Sequence, residues 1–157
     1  MANFQLSGLA AAQFERYFSQ SDGELELLAA KRVIATSNSG FPCRVSLRDA
    51  AAGERLLLFP YWHHPVDSPY RSLGPIFVRE GAVQAVLSPG TVPDYVTRRL
   101  ISIRAYDADA MMIAAEVREG IEVGSALQTI FDDGSVAYVH LHNAKPGCYS
   151  CLATRVP

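Results

Sequence analysis

Val136-Ala137-Tyr138-Val139-His140-Leu141-His142-Asn143-Ala144-Lys145-Pro146-Gly147-Cys148-Tyr149-Ser150-Cys151-Leu152-Ala153-Thr154-Arg155 reads as two strands on either side of a turn. Aromatic and β-branched residues recur in both arms, and Pro146-Gly147 breaks the pattern between them. Successive side chains of a strand point to opposite faces. Tyr138, His140 and His142 therefore share one face, and Val139, Leu141 and Asn143 the other. Two registers fit the hairpin: His140 opposite Cys151, or a one-residue slip that sets His142 opposite Cys148.

Upstream, the same reading extends. Residues 100–106 and 111–118 form a second hairpin around the turn 107–109, and residues 54–61, 75–79, 82–87 and 32–36 are further strands. Residues 4–6 are a short edge strand. Residues 44–48 alternate Val45 and Leu47 against Arg44, Ser46 and Arg48, which predicts another strand. Helices are few. Residues 9–19 carry apolar side chains at helical spacing, and Ser21 with Glu24 three residues on is a capping box for a short second helix. A helical turn falls at 95–99, and Ser125 caps a helix to residue 131. Residues 62–73, with Pro65, Asp67 and Pro69, are a long irregular loop. The prediction is an α+β fold: mainly antiparallel β-sheet with two or three short helices in a single compact domain over residues 1–157. Helices do not alternate regularly with strands, which excludes a doubly wound parallel sheet.

Composition narrows the class. The chain has 157 residues, 49% of them hydrophobic and 19% charged, so it can bury a full core and is not disordered. Net charge is −2, spread evenly along the chain, which argues against nucleic-acid binding. The longest apolar run, residues 56–62, is too short for a membrane helix. No charged and apolar leader opens the sequence, so it reads as cytoplasmic. Three cysteines make no disulfide framework, and free thiols are expected.

Chemistry could sit in several places. Two His at i, i+2 can share a metal, and Cys148, Cys151 and Cys43 add soft ligands. Strand geometry opposes this, because Cys148 and Cys151 face opposite sides. No metal and no cofactor is expected. Cys43, beside Arg44, could be a nucleophile but reads as a buried thiol. His63-His64 lies in the irregular loop and reads as solvated surface. More informative are the arginines set among apolar strand residues: Arg44 and Arg48 beside Cys43, and Arg104 with Tyr106. An arginine facing a core needs a partner, either an internal carboxylate such as Asp49, Glu54 or Asp107, or an anionic ligand.

Four ordered blocks also carry a resemblance: Phe41-Pro42-Cys43-Arg44-Val45-Ser46-Leu47-Arg48-Asp49-Ala50 with Gly53-Glu54; Ser68-Pro69-Tyr70 with Gly74-Pro75-Ile76-Phe77-Val78; Ile103-Arg104-Ala105-Tyr106-Asp107; and His140-Leu141-His142-Asn143-Ala144, then Pro146-Gly147-Cys148. Together they resemble a bacterial family catalogued as domain of unknown function 1203. The resemblance implies no activity. It does imply that the Arg44 block, Tyr70, Arg104, Tyr106 and the His142-Asn143 block are motif positions.

The expected function is binding of an anionic small molecule, with or without turnover, in one pocket. Arg44, Arg48 and Arg104 hold the anion there, with Tyr70, Tyr106, His140, His142 and Asn143 around them. The competing classes are a non-enzymatic interaction or structural domain, such as a homodimer, with its arginines internally paired, and a metal site at His140, His142 and a cysteine.

Overall fold

The computed structural model describes residues 3–157. Two five-stranded sheets make up the α+β fold. The first contains β1 (Asn3–Ser7), β7 (Leu100–Tyr106), β8 (Met112–Glu119), β9 (Tyr138–Asn143) and β10 (Tyr149–Val156) in the order β1-β10-β9-β7-β8. All its pairings are antiparallel. The second contains β2 (Lys31–Ile34), β3 (Pro42–Cys43), β4 (Arg48–Asp49), β5 (Arg55–His64) and β6 (Ser72–Arg79) in the order β2-β5-β6-β3-β4. Its single parallel contact joins β3 to β6.

Four short helices accompany the sheets: α1 (Glu15–Phe18), α2 (Asp22–Leu27), α3 (Asp94–Thr97) and α4 (Val123–Asp132). Ser21 and Glu24 form both bonds of the capping box that opens α2. Among the described residues no helix is long and apolar enough to cross a membrane.

One face of the first sheet is dry. Val123, Ala126, Leu127 and Phe131 repeat at helical spacing along α4. They pack with Phe4, Leu6, Ile101, Ile103, Val139, Leu141 and Cys151 in the main core. A smaller core, built on Phe14, Cys43, Val45, Ile76 and Val78, lies against the second sheet.

Several elements differ from the sequence reading. Residues 44–47 form a turn rather than a strand, with Leu47 at φ +52°. The apolar alternation there is genuine, but its cause is division between cores: Val45 enters the smaller one and Leu47 the larger. Residues 82–87 make only an isolated bridge, Val86 to Ser7, because Ala85 spends its backbone groups on Gly8 and Val45. The helix expected over 9–19 is one 3-10 turn followed by one α-helical turn, α1, neither opened by a capping side chain. The strand expected to stop at residue 61 continues to His64, which shortens the loop after it to 65–71. Pro60 does not break this strand, because β2 pairs only as far as Leu58, leaving no neighbour on that side to need its missing N–H.

Candidate functional site

The opposite face of the first sheet is polar, and the end of β5 closes over it. Cross-strand pairs Ser102–His142, Arg104–His140, Tyr106–Tyr138 and His142–Tyr149 place these side chains together. His63 and His64 arrive from β5. His63 stacks on Tyr149 at 5.4 Å with 11° between the rings, and His64 lies 4.3 Å from Tyr106. His63 and His142 rings are 5.1 Å apart, and His64 and His140 rings 5.0 Å. All four histidines of the chain are in this cluster. His63 and His64 are thus not the solvated pair expected of a loop; His64 is buried.

Three β-bulges surround the cluster. They fall at Tyr61/His64 on β5, at Ala105/Tyr106 between β7 and β8, and at Tyr149/Cys151 on β10. A bulge inserts an extra residue and re-aims the side chains beside it. The first bulge lets two consecutive histidines serve one cluster. The third sets His142 against Tyr149 and His140 against Leu152, so neither register expected for the hairpin occurs.

Hydrogen bonding assigns the imidazoles. His64 Nδ1 meets the Tyr70 carbonyl at 2.8 Å and therefore donates. Its Nε2 is then free to accept from the Tyr138 hydroxyl at 2.6 Å. His142 Nδ1 likewise donates to the Gly147 carbonyl at 3.0 Å. Among the described residues three buried ring nitrogens are left without a partner: His63 Nδ1, His140 Nδ1 and His142 Nε2. Burial lowers the pKa of His63 to about 4, of His140 to about 3 and of His142 to about 4. Nearby positive groups, Arg104 among them, push the same way. These rings are neutral at pH 7. Burial raises the phenols of Tyr106, Tyr138 and Tyr149, so they act as hydroxyl donors.

The expected site residues fall in four places. Arg104 and His142 share a cavity of about 280 Å³ with His63, Cys148 and Tyr149. Tyr70, Tyr106 and His140 belong to the ring cluster beside it, Tyr70 edge-on to Tyr106 at 6.1 Å. Arg44 and Asn143 line a second cavity of about 530 Å³, which shares Pro146 and Cys148 with the first. Arg48 lies apart, exposed in a cleft of about 840 Å³ with Asp49, Arg79 and Arg98. One pocket therefore does not hold all three arginines. The turn at 44–47 is the reason, since it sends Arg44 inward and Arg48 outward.

None of the carboxylates expected to pair with these arginines does so. Asp49 takes Arg99 at 2.7 Å and Arg98 at 3.2 Å, and Glu54 takes Arg79 at 3.2 Å. Asp107 accepts backbone N–H groups of its own turn. Arg44, 1% exposed, donates to the carbonyls of Tyr149 at 2.7 Å and Pro42 at 2.6 Å, and to Cys148 Sγ at 3.0 Å. Arg104 donates Nε to Ser102 Oγ at 3.2 Å, and among the described residues it enters no ion pair.

The metal reading loses one of its cysteines. Cys151 lies in the core on the other face and Cys148 lies at Arg44, while both His64 nitrogens are engaged. Among the described residues no group of three His, Cys, Asp or Glu is placed to hold an ion.

The site was partly hidden from sequence. Strand alternation finds Arg104, Tyr106, His140 and His142. The signal for His63 and His64 was the continuation of β5 past Pro60, where aromatic residues run on through Trp62.

No curated protein and no solved structure matches the chain. A family model does: it spans residues 40–155, from the turn before β3 almost to the end of β10, and so includes every residue of the histidine cluster and of both cavities. The chain belongs to the family described as protein of unknown function DUF1203.

Proposed function

We propose that the protein binds a small anionic molecule in the 280 Å³ cavity at the mouth of the histidine cluster. Arg104 takes the negative group, the bare Nε2 of His142 accepts a hydrogen bond from a donor on the same ligand, and His63 Nδ1 adds a further polar contact. The observation that carries this reading is an arginine that, among the described residues, has no carboxylate partner, beside neutral imidazoles each with one buried ring nitrogen unpartnered. Unpaired buried polar atoms are costly, and a ligand that satisfies them recovers that cost. Low basicity suits these rings to accept a hydrogen bond rather than to hold a proton. The ligand therefore combines a carboxylate or phosphate with a hydroxyl or amine. With charge evenly spread and three free thiols, the reading is of a bacterial cytoplasmic protein that acts on a small molecule, not on nucleic acid or membrane.

Thermal melts with a panel of hydroxy- and amino-carboxylates and sugar phosphates test it. A true ligand raises Tm with its concentration. The effect is expected to vanish in Arg104→Met and to survive in Arg48→Met, whose side chain lies in the separate cleft. A ligand response that Arg104→Met leaves intact, or no response to any compound, overturns the reading.

A further inference from the structure

Cys148 is the one thiol of the three that is not buried. Cys43 and Cys151 lie in the two cores, and burial pushes the Cys151 thiol up to about 12. The Cys148 sulfur instead receives Arg44 Nη2 at 3.0 Å and Asn143 Nδ2 at 3.8 Å. Arg44 is buried with backbone carbonyls as its other acceptors. A buried guanidinium surrounded only by dipoles is poorly compensated. Among the described residues Cys148 Sγ is the one side-chain acceptor of Arg44, and that bond holds the sulfur where the two cavities meet.

A second observation places a ligand at the same sulfur. His142, 1% exposed, lines the smaller cavity with Cys148 and leaves Nε2 without a partner. On the other side of Cys148, Asn143, 4% exposed, lines the larger cavity and leaves Oδ1 without one. Two buried, unsatisfied acceptors thus flank one accessible thiol, with Arg104 across the smaller cavity and Lys145 on the larger.

We propose that Cys148 is a thiol-exchange site for a small disulfide that carries carboxylates, with Arg44 orienting the sulfur and Arg104 attracting the charged partner. This deepens the anion-binding reading of the cavity and rests on it. In the exchange, Cys148 Sγ attacks one sulfur of the disulfide. The Sγ–S bond forms as the disulfide's own S–S bond breaks. Cys148 is oxidised, the departing half is reduced, and it leaves as a thiol with the proton that Cys148 gave up. Cys43 and Cys151 are buried, so the product is a mixed disulfide and not an internal bridge.

The test reacts native protein with dithio-bis-nitrobenzoate, whose halves each carry a carboxylate, and with neutral dithiodipyridine. Released thiol is followed by absorbance and the adduct is located by peptide mass. Cys148 is expected to react first. Arg104→Met is expected to slow the carboxylate reagent by about tenfold, the loss of one hydrogen bond to a charged group, and to leave the neutral reagent unchanged. Arg44→Met, where it folds, slows both. Reaction first at Cys43 or Cys151, or equal rates with and without Arg104, overturns the exchange. Thermal melts of Cys148→Ser with the non-disulfide anions separate the two readings. A ligand response there, together with no charge preference in wild-type exchange, removes the exchange and keeps the binding site; no response in either protein removes both.

Discussion

Arg44 and Arg104 look alike in sequence, each a base among apolar strand-like neighbours, yet their surroundings give them different roles. Arg44 fills the interior and satisfies two buried carbonyls. Arg44→Met would orphan both, at about 1–3 kcal/mol each, and should lower the stability measured by urea denaturation by a few kcal/mol. Arg104 makes one bond to Ser102 and lines open space. Arg104→Met should change stability by less than about 1 kcal/mol, so its loss of ligand response can be read as a binding effect. Alternation along a strand was enough to place Arg104, Tyr106, His140 and His142 on one face. It could not show that Arg44 reaches Cys148 across 104 positions of sequence, because that contact depends on how a turn in one sheet meets a hairpin in the other.

Regular elements were legible and irregular ones were not. Both hairpins, the edge strand β1, the capping box of α2 and the apolar spacing of α4 follow from periodicity and cap chemistry, which are local; the cap expected at Ser125 does not, since α4 opens two residues earlier at Val123 without a capping side chain and the Ser125 hydroxyl donates to the Glu122 carbonyl from inside the helix. The three bulges and the turn at 44–47 do not, since each is fixed by which core or cluster receives its side chains. Two glycines show the difference in packing terms. A Cβ at Gly8 would collide with the carbonyl of Val45, where the end of β1 passes the 44–47 turn. Gly8→Ala should destabilise by about 1–3 kcal/mol through overpacking. A Cβ at Gly124, in α4, would meet Val92 Cγ2 at 3.5 Å, an ordinary contact. Gly124→Ala should stabilise by about 0.5–1 kcal/mol through helix propensity, and paired thermal melts of the two variants check both signs.

At the scale of the whole molecule, the histidine cluster makes stability depend on pH. The unfolded chain protonates its histidines near 6.5, while folded His140 and His142 do so near 3 and 4. Between those values the unfolded state binds more protons. Stability is therefore full above about pH 6.5 and falls as pH drops toward 4, by about 1.4 kcal/mol per pH unit for each fully linked histidine. Urea denaturation between about pH 7 and pH 5 should show this slope, and His140→Gln should reduce it. The arrangement of the first sheet also bears on how the chain comes to be folded. Its edge strand β1 pairs with β10, Asn3 opposite Val156, and Phe4 and Leu6 are fully buried there. β1 thus waits for β10 before it has a partner strand in its sheet, with an isolated bridge from Ser7 to Val86 on its other side. Until β10 is made, the main core lacks the wall against which Phe4 and Leu6 pack. Closure of that sheet joins segments from opposite ends of the sheet's sequence span, and a long-range pairing of this kind is slow for reasons of chain entropy alone.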